Sequence, residues 1–299
     1  MKQQTSPNMA GMPDQTRLDD TVPFDLSFDP DVPRKAGTYN IDFHVHTTAS
    51  LDGRSDVKQL VAAAKRRGLD AICVCDHNLF SQPRIQCMDG VVVLGGCECS
   101  TDAGHILALF CNTSFDCTLP KDGTLPSAKE VVARIHAHGG IAVLAHPFAK
   151  QTRMRQTLLC GADGVETINA RACFHHAQAN AMARQFAVEE QLFQTGGSDA
   201  HGAVSVGDAY TEVTLLEGQT LRQALLAHQC RALRFRLTPR VQKGLSQWKK
   251  ICHRPTLFTL VRGGCYLMYC VMLDLFLPQK DADVSTDTRA DGSTTRAGK

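Results

Sequence analysis

The sequence has little net charge. Its 32 basic and 30 acidic side chains leave +2 over 299 residues, which argues against a nucleic-acid coat and against a disordered acidic tail. No secretory leader is expected from residues 1–20, which are polar and have no apolar run after a basic start. It also lacks any CxxC pair and any internal repeat. The 13 cysteines are odd in number and cannot all pair within one chain. A reducing cytoplasm with free thiols is the compartment these features predict. What is present is ordinary for a globular protein: 43% hydrophobic and 21% charged residues. That suffices for a sizeable core in one large or two small domains. Only the 13 Cys and 12 His stand out.

The two groups separate on inspection. The close cysteine pairs, Cys73/Cys75 and Cys97/Cys99, are C-x-C in apolar runs. Residues two apart in a strand face one side, and free Cys is commonly buried. These thiols read as core packing.

Residues 1–38 are rich in Pro, Asp, Gln and Thr and read as a flexible or surface-hugging arm. Over 39–230, short apolar runs alternate with helix-like stretches. The predicted strands are Asn40–Val45, Ala71–Cys75, Val91–Cys97, Ile106–Phe110, Ile141–Ala145, Gly164–Ile168 and Leu192–Thr195. The predicted helices include Ser55–Arg67, with Ser55 as its cap and Gly68 as its left-handed exit, then Ser127–His138 and Phe174–Glu189. Such alternation predicts parallel strands with helices outside. The expected class is α/β, a closed or nearly closed barrel of seven strands, with an open doubly wound sheet as the competing architecture.

Over 231–278 a basic amphipathic stretch precedes an apolar run, Leu257–Leu277. Arg262, Asp274 and Gly263–Gly264 interrupt that run, so a packed C-terminal helix or a peripheral membrane or protein contact is expected ahead of a membrane span. Trp248 reads as a packing anchor. Residues 279–299 read as a disordered tail.

The histidines gather at strand termini. His44 and His46 end the first run as H-x-H, His77 follows the second and His105 opens the fourth. His146 ends the fifth, and Asp199 and His201 end the last in GGSDAH. Glu98 ends the third and Asp52 lies just beyond the H-x-H. In parallel α/β folds the carboxyl ends of strands share one rim. Six imidazoles and three carboxylates from distant places therefore meet. Imidazole and carboxylate without thiolate suit Zn²⁺, Mn²⁺ or Fe²⁺. Nine ligands exceed one tetrahedral ion and fit two or three, with a bridging carboxylate. Such sites generate hydroxide at neutral pH and clamp the oxygens of an in-line displacement, so phosphoester hydrolysis is the natural reaction. Amide or lactone hydrolysis uses similar equipment.

The stretches FHVHTTASLDG, DHN, GCECST, GHILAL, AHP and GSDAH, in this order over about 40–215, resemble the PHP (polymerase and histidinol phosphatase) family. The resemblance implies a distorted seven-stranded barrel and three metal positions. His44, His46, Glu98 and Asp199 look like the first. Glu98 as bridge, His105 and His146 look like the second. Asp52, His77 and His201 look like the third. Stand-alone phosphoesterases of this kind carry Asn and Arg after the sixth strand, which singles out Asn169 and Arg171 as substrate ligands. A guanidinium suits phosphate. Lys150 and Arg153 are weaker candidates. His201 is also a candidate proton donor, which with Asp199 and Arg171 makes the expected catalytic set. The implied activity is hydrolysis of a phosphate ester of a small molecule or nucleotide, the N-x-R feature pointing to a nucleotide 3',5'-bisphosphate or a short RNA 5'-end. A histidinol-phosphate or sugar-phosphate phosphatase and a non-catalytic metal-stabilised module are the alternatives. His136 and His138 read as surface residues at a helix end, and His175 and His176 as surface residues beyond the sixth strand.

Overall fold

The structure is a computed structural model, and it describes residues 29–149, 158–174, 176–277 and 279. Most of the expected arm and tail, and Lys150, Arg153 and His175, lie outside the described residues.

Among the described residues, eleven strands fall into two sheets. One has the order β11-β10-β1-β2-β4-β3 and the other β5-β6-β7-β8-β9. The strands are β1 (Gly37–Val45), β2 (Ala71–Val74), β3 (Ile85–Met88), β4 (Val91–Gly95), β5 (Cys97–Thr101), β6 (Gly104–Leu109), β7 (Ile141–Ala145), β8 (Gly164–Asn169), β9 (Phe193–Gly197), β10 (Ala209–Leu215) and β11 (Cys230–Arg234). The class is α/β, as expected, but the ladders form two open sheets and not one closed barrel. The two sheets touch at their margins through single parallel bridges, Val45↔Ala200 and His77↔Glu98. The expected strand Val91–Cys97 is divided between the sheets. At Gly96 the chain passes so close to Cys73, Cys75 and the Ala108 carbonyl that a Cβ would lie 2.9 Å from each. The pairing is also mixed. β1–β2, β2–β4, β7–β8 and β8–β9 are parallel, whereas β5–β6, β6–β7, β1–β10 and β10–β11 are antiparallel.

Apolar residues from both sheets meet between them, including Ile41, Phe43, Leu107, Val143 and Phe193. Helices α1 (Val57–Arg67), α2 (Ala128–Ala137) and α3 (Ala179–Glu189) bury their apolar faces on the outer sides. This is why β2, β4 and β7 are buried along their whole length. Asp56, not Ser55, caps α1, in a capping box with Gln59. Ser55 instead accepts the Ala203 N–H at 3.0 Å. Gly68, at φ 70, ends the helix as expected. The third expected helix opens late, because Ala172–Phe174 is a 3₁₀ turn. A short helix α4 (Leu221–Leu226) links β10 to β11.

The C-terminal helices α5 (Arg240–Cys252) and α6 (Leu257–Phe276) form an antiparallel hairpin. Gly244 lies close under Leu267 and Cys270, and Gly263 sits against Trp248 and Ile251. Two of the three interruptions of the apolar run thus have structural roles. Gly263 admits the expected anchor, Trp248, and the Asp274 carboxylate accepts the Arg240 and Val241 N–H groups at 3.0 and 2.8 Å, capping α5. By length and composition α6 is apolar enough to cross a membrane.

Candidate metal centre

The two marginal bridges lie at the carboxyl ends of β1, β2 and β9 and at β5, and the polar cluster lies there too. β1 delivers His44 and His46. β5 turns Glu98 inward while Cys97 and Cys99 join the core behind it. Asp199 and His146, just past β9 and β7, adopt left-handed backbones at φ 52 and 31. That conformation is costly outside glycine and concentrates at functional sites.

His44 Nε2 and His46 Nε2 stand 3.1 Å apart. Glu98 Oε2 lies 3.5 and 3.4 Å from them, and Asp199 Oδ1 lies 3.9 and 3.4 Å from them. Donors 2.0–2.1 Å from a tetrahedral Zn²⁺ stand about 3.3 Å from one another, so these four atoms have the spacing of one ion's shell. On the other side of the same carboxylate, Glu98 Oε1 is 2.6 Å from His105 Nδ1 and 3.0 Å from His146 Nε2. Asp52 Oδ1 lies 3.6 Å from His77 Nε2 and 3.5 Å from His201 Nε2. All nine sequence-predicted metal ligands thus converge, and Glu98 stands between two of the groups.

The carboxylate oxygens supply a direct test of fit. Glu98 Oε2 and Asp52 Oδ1 are buried and accept no hydrogen bond. His77 Nδ1 comes within 2.7 Å of that Glu98 oxygen without donating to it. Buried carboxylate oxygens without donors are expensive, and divalent cations among the surrounding imidazoles would remove the cost. The donor set fits.

The electrostatics agree. Burial alone would raise the Glu98 carboxyl, but His105, His77 and His44 hold it well below the usual carboxylate range. Burial likewise opposes ionisation of Asp199, and Arg171 and His44 overcome it. Burial, with His201 and His77 nearby, holds His46 at about 3, so its lone pair is free for a cation. His77 goes the other way: burial would lower it, but Glu98 and Asp52 raise it to about 9. The cluster cannot protonate all its imidazoles.

Three contributors escaped sequence reasoning. Glu166 is 1% exposed and receives His44 Nδ1 at 3.0 Å on Oε1. Its Oε2 accepts the His146 N–H and the Asn169 amide, both at 2.9 Å. Such outer carboxylates fix the tautomer and orientation of ligating imidazoles. An acid inside the apolar run GVETI was the available signal. Asp76 organises the H-x-H loop by accepting Thr47 N–H and Oγ1 and Ser50 Oγ at 2.9, 2.6 and 2.6 Å. Arg54 donates its N–H to the His201 carbonyl at 2.7 Å and its guanidinium to Gln242 of α5. Glycine at 202 leaves room for it, since a Cβ there would meet Arg54 Nη2 at 2.8 Å.

Arg171 does reach the rim. Nη1 donates to the Asp199 carbonyl at 3.0 Å and lies against His201 Nδ1. With Phe174, Thr238, Pro239, Arg240 and Lys243 it lines a shallow surface recess. Asn169 is wholly buried. Its amide faces Glu166 and, at 3.4 Å, Asp199, while its oxygen accepts the Arg171 N–H at 2.8 Å. It is engaged with the cluster's supports. His136 pairs with Asp163 at 2.8 Å and His138 with Thr113, both near the surface as expected.

Residues 42–158 match the PHP domain, and residues 177–230 match the PHP-associated family. A protein of Shewanella sediminis named "Probable phosphatase" is 24% identical over 247 residues, spanning 71% of this chain and 99% of that one. An uncharacterized protein of Methanocaldococcus jannaschii is 28% identical over 145 residues, 43% of this chain and 81% of that one. The crystal structure of PsfC from Pseudomonas syringae shares the fold with a TM-score of 0.52 at 19% identity, covering 79% of this chain and 99% of that one.

Proposed function

We propose that this chain, whose residues 42–158 match the PHP domain, is a metal-dependent phosphoesterase acting on a small phosphorylated molecule or nucleotide. The observation that carries this reading is Glu98, a buried carboxylate with imidazoles at both oxygens and no hydrogen bond on one of them. His44, His46, Glu98 and Asp199 would hold one divalent ion, and Glu98, His105 and His146 a second. Asp52, His77 and His201 would hold a third. When bound, such ions acidify water and polarise phosphoryl oxygens, whether they are Mn²⁺, Zn²⁺ or Fe²⁺.

The chain's own residues do the rest. Glu166 accepts the His44 Nδ1 proton, so that Nε2 presents its lone pair to the cluster. The Arg171 guanidinium lies against His201, and the Arg54 guanidinium stands beside the next residue, Gly202. Burial and the neighbouring Arg171 charge depress Arg54, a repulsion that an anionic phosphate between them would relieve. If the third metal position is empty, His201 stands beside the same rim and can pass a proton to the leaving oxygen. Asn169 is assigned to positioning, through Glu166, and not to substrate contact. The N-x-R pattern of Asn169 and Arg171 supports a nucleotide, such as a 3',5'-bisphosphate or a short RNA 5'-end.

The test is release of inorganic phosphate from adenosine 3',5'-bisphosphate and a panel of nucleotide, histidinol and sugar phosphates. Chelation should abolish release and Mn²⁺ should restore it. No release from any member, with metal bound, would sink the enzymatic reading in favour of a metal-stabilised binding module.

A further inference from the structure

Helix α6 is apolar on both sides. Its inner stripe, through Gly263, Leu267 and Cys270, packs on α5. Its outer stripe, Leu257, Phe258, Val261, Met268, Met272 and Leu275, recurs at helical spacing and faces out, with Leu257 80% and Phe258 73% exposed. A soluble hairpin would carry a polar outer face, and a contiguous apolar patch of this kind marks a contact surface.

The charges beside the patch select its partner. Of the six Lys and Arg side chains in residues 240–277, Arg240 is engaged with Leu273, Leu277 and Asp274, Lys243 lies over Phe174 and Lys249 donates to the Gly53 carbonyl, which leaves Lys250, Arg254 and Arg262 against one acid, Asp274. Asp274 is committed to the N-terminus of α5. Lys250, His253 and Arg254 are exposed at the hairpin turn next to Leu257 and Phe258, and Arg262 is exposed within the outer face. Two such surfaces brought together would oppose cation to cation, which disfavours a second copy. An anionic lipid surface takes both features at once, the apolar stripe entering the acyl boundary and the cations meeting headgroups. We propose that the α5–α6 hairpin, which lies outside both family matches, docks this protein on anionic membranes. It lies in the interface and does not cross. A span would strip Asp274 from its partners and break the Gly244 and Gly263 contacts with the neighbouring helix.

The experiment is co-sedimentation of the full chain with phosphatidylcholine vesicles, with or without phosphatidylglycerol, at low and high salt. Pelleting is expected only with the anionic vesicles and should fade at high salt. Lys250→Glu with Arg254→Glu should weaken binding tenfold or more, given the attraction of each cation near a charged surface. Phe258→Asp with Leu275→Asp should abolish it, with unchanged thermal unfolding and metal content. Equal binding to neutral vesicles would overturn the charge argument. Absence of binding to all vesicles would overturn the proposal. So would a chain that elutes as a dimer and becomes monomeric on Phe258→Asp, which would make the occupant a second copy.

Discussion

Glu166→Gln isolates the support beneath the metal centre. The side chain keeps its size but loses one acceptor. Glu166 now accepts three donors, His44 Nδ1 on one oxygen and the His146 N–H and Asn169 amide on the other. A glutamine must turn its NH₂ toward one of these, so donor faces donor in a site 1% exposed. Asn169 cannot flip to help, because its own oxygen holds the Arg171 N–H. A hydrogen bond to a charged group contributes about 1.5–3 kcal/mol, and loss of an outer-shell partner typically costs 10–100-fold in metal affinity. Part of the first figure is recovered, because the lost carboxylate also stops raising His44 toward the protonated form that competes with metal. We therefore expect about 10-fold to 100-fold weaker binding, with the fold intact by circular dichroism. Competition against a chromophoric chelator measures it. Wild-type affinity in the variant would show that Glu166 neither orients His44 nor supports the centre.

Other outcomes follow from the same geometry. Gly197→Ala would place a Cβ 2.3 Å from Glu166 Oε1 and 2.7 Å from His44 Cβ. It should lose metal and cost about 1–3 kcal/mol in denaturant unfolding, and retention of full metal content would contradict this packing. Arg171→Ala should raise KM or lower kcat with metal retained. Loss of metal from that variant would make the arginine a structural prop of Asp199 and His201. In chelated protein His77 is raised to about 9, against about 6.5 unfolded. Its stabilisation is full below about 6.5 and is lost as pH climbs through 9. His46, held at about 3, acts oppositely, so its contribution is lost as pH falls below about 6.5. The melting temperature of metal-free protein should therefore peak near neutrality and fall toward pH 9. A profile flat from pH 7 to 9 would refute the His77 assignment.

The nine candidate ligands were legible because they sit where apolar runs stop, and strand termini converge. Glu166 was not, because an acid within an apolar run looks like strand, and only tertiary packing shows His44 above it. Asn169 illustrates the converse. The resemblance gave it and Arg171 one role, whereas its side chain, the last of β8, bonds Glu166 and the Arg171 N–H. The fold class followed from alternating runs and helices. The antiparallel β5–β6–β7 order and the division of Val91–Cys97 at Gly95–Gly96 did not, since apolar continuity carries no strand direction and a glycine pair does not say which sheet follows.

The central claim is that Glu98 joins more than one ion in a single cluster. Elemental analysis of metal-reconstituted, desalted protein tests it most directly, with Glu98→Ala measured in parallel. Two or three divalent ions per chain, falling sharply in the variant, are predicted. One ion or none in the wild-type chain, or a count unchanged by Glu98→Ala, would contradict it.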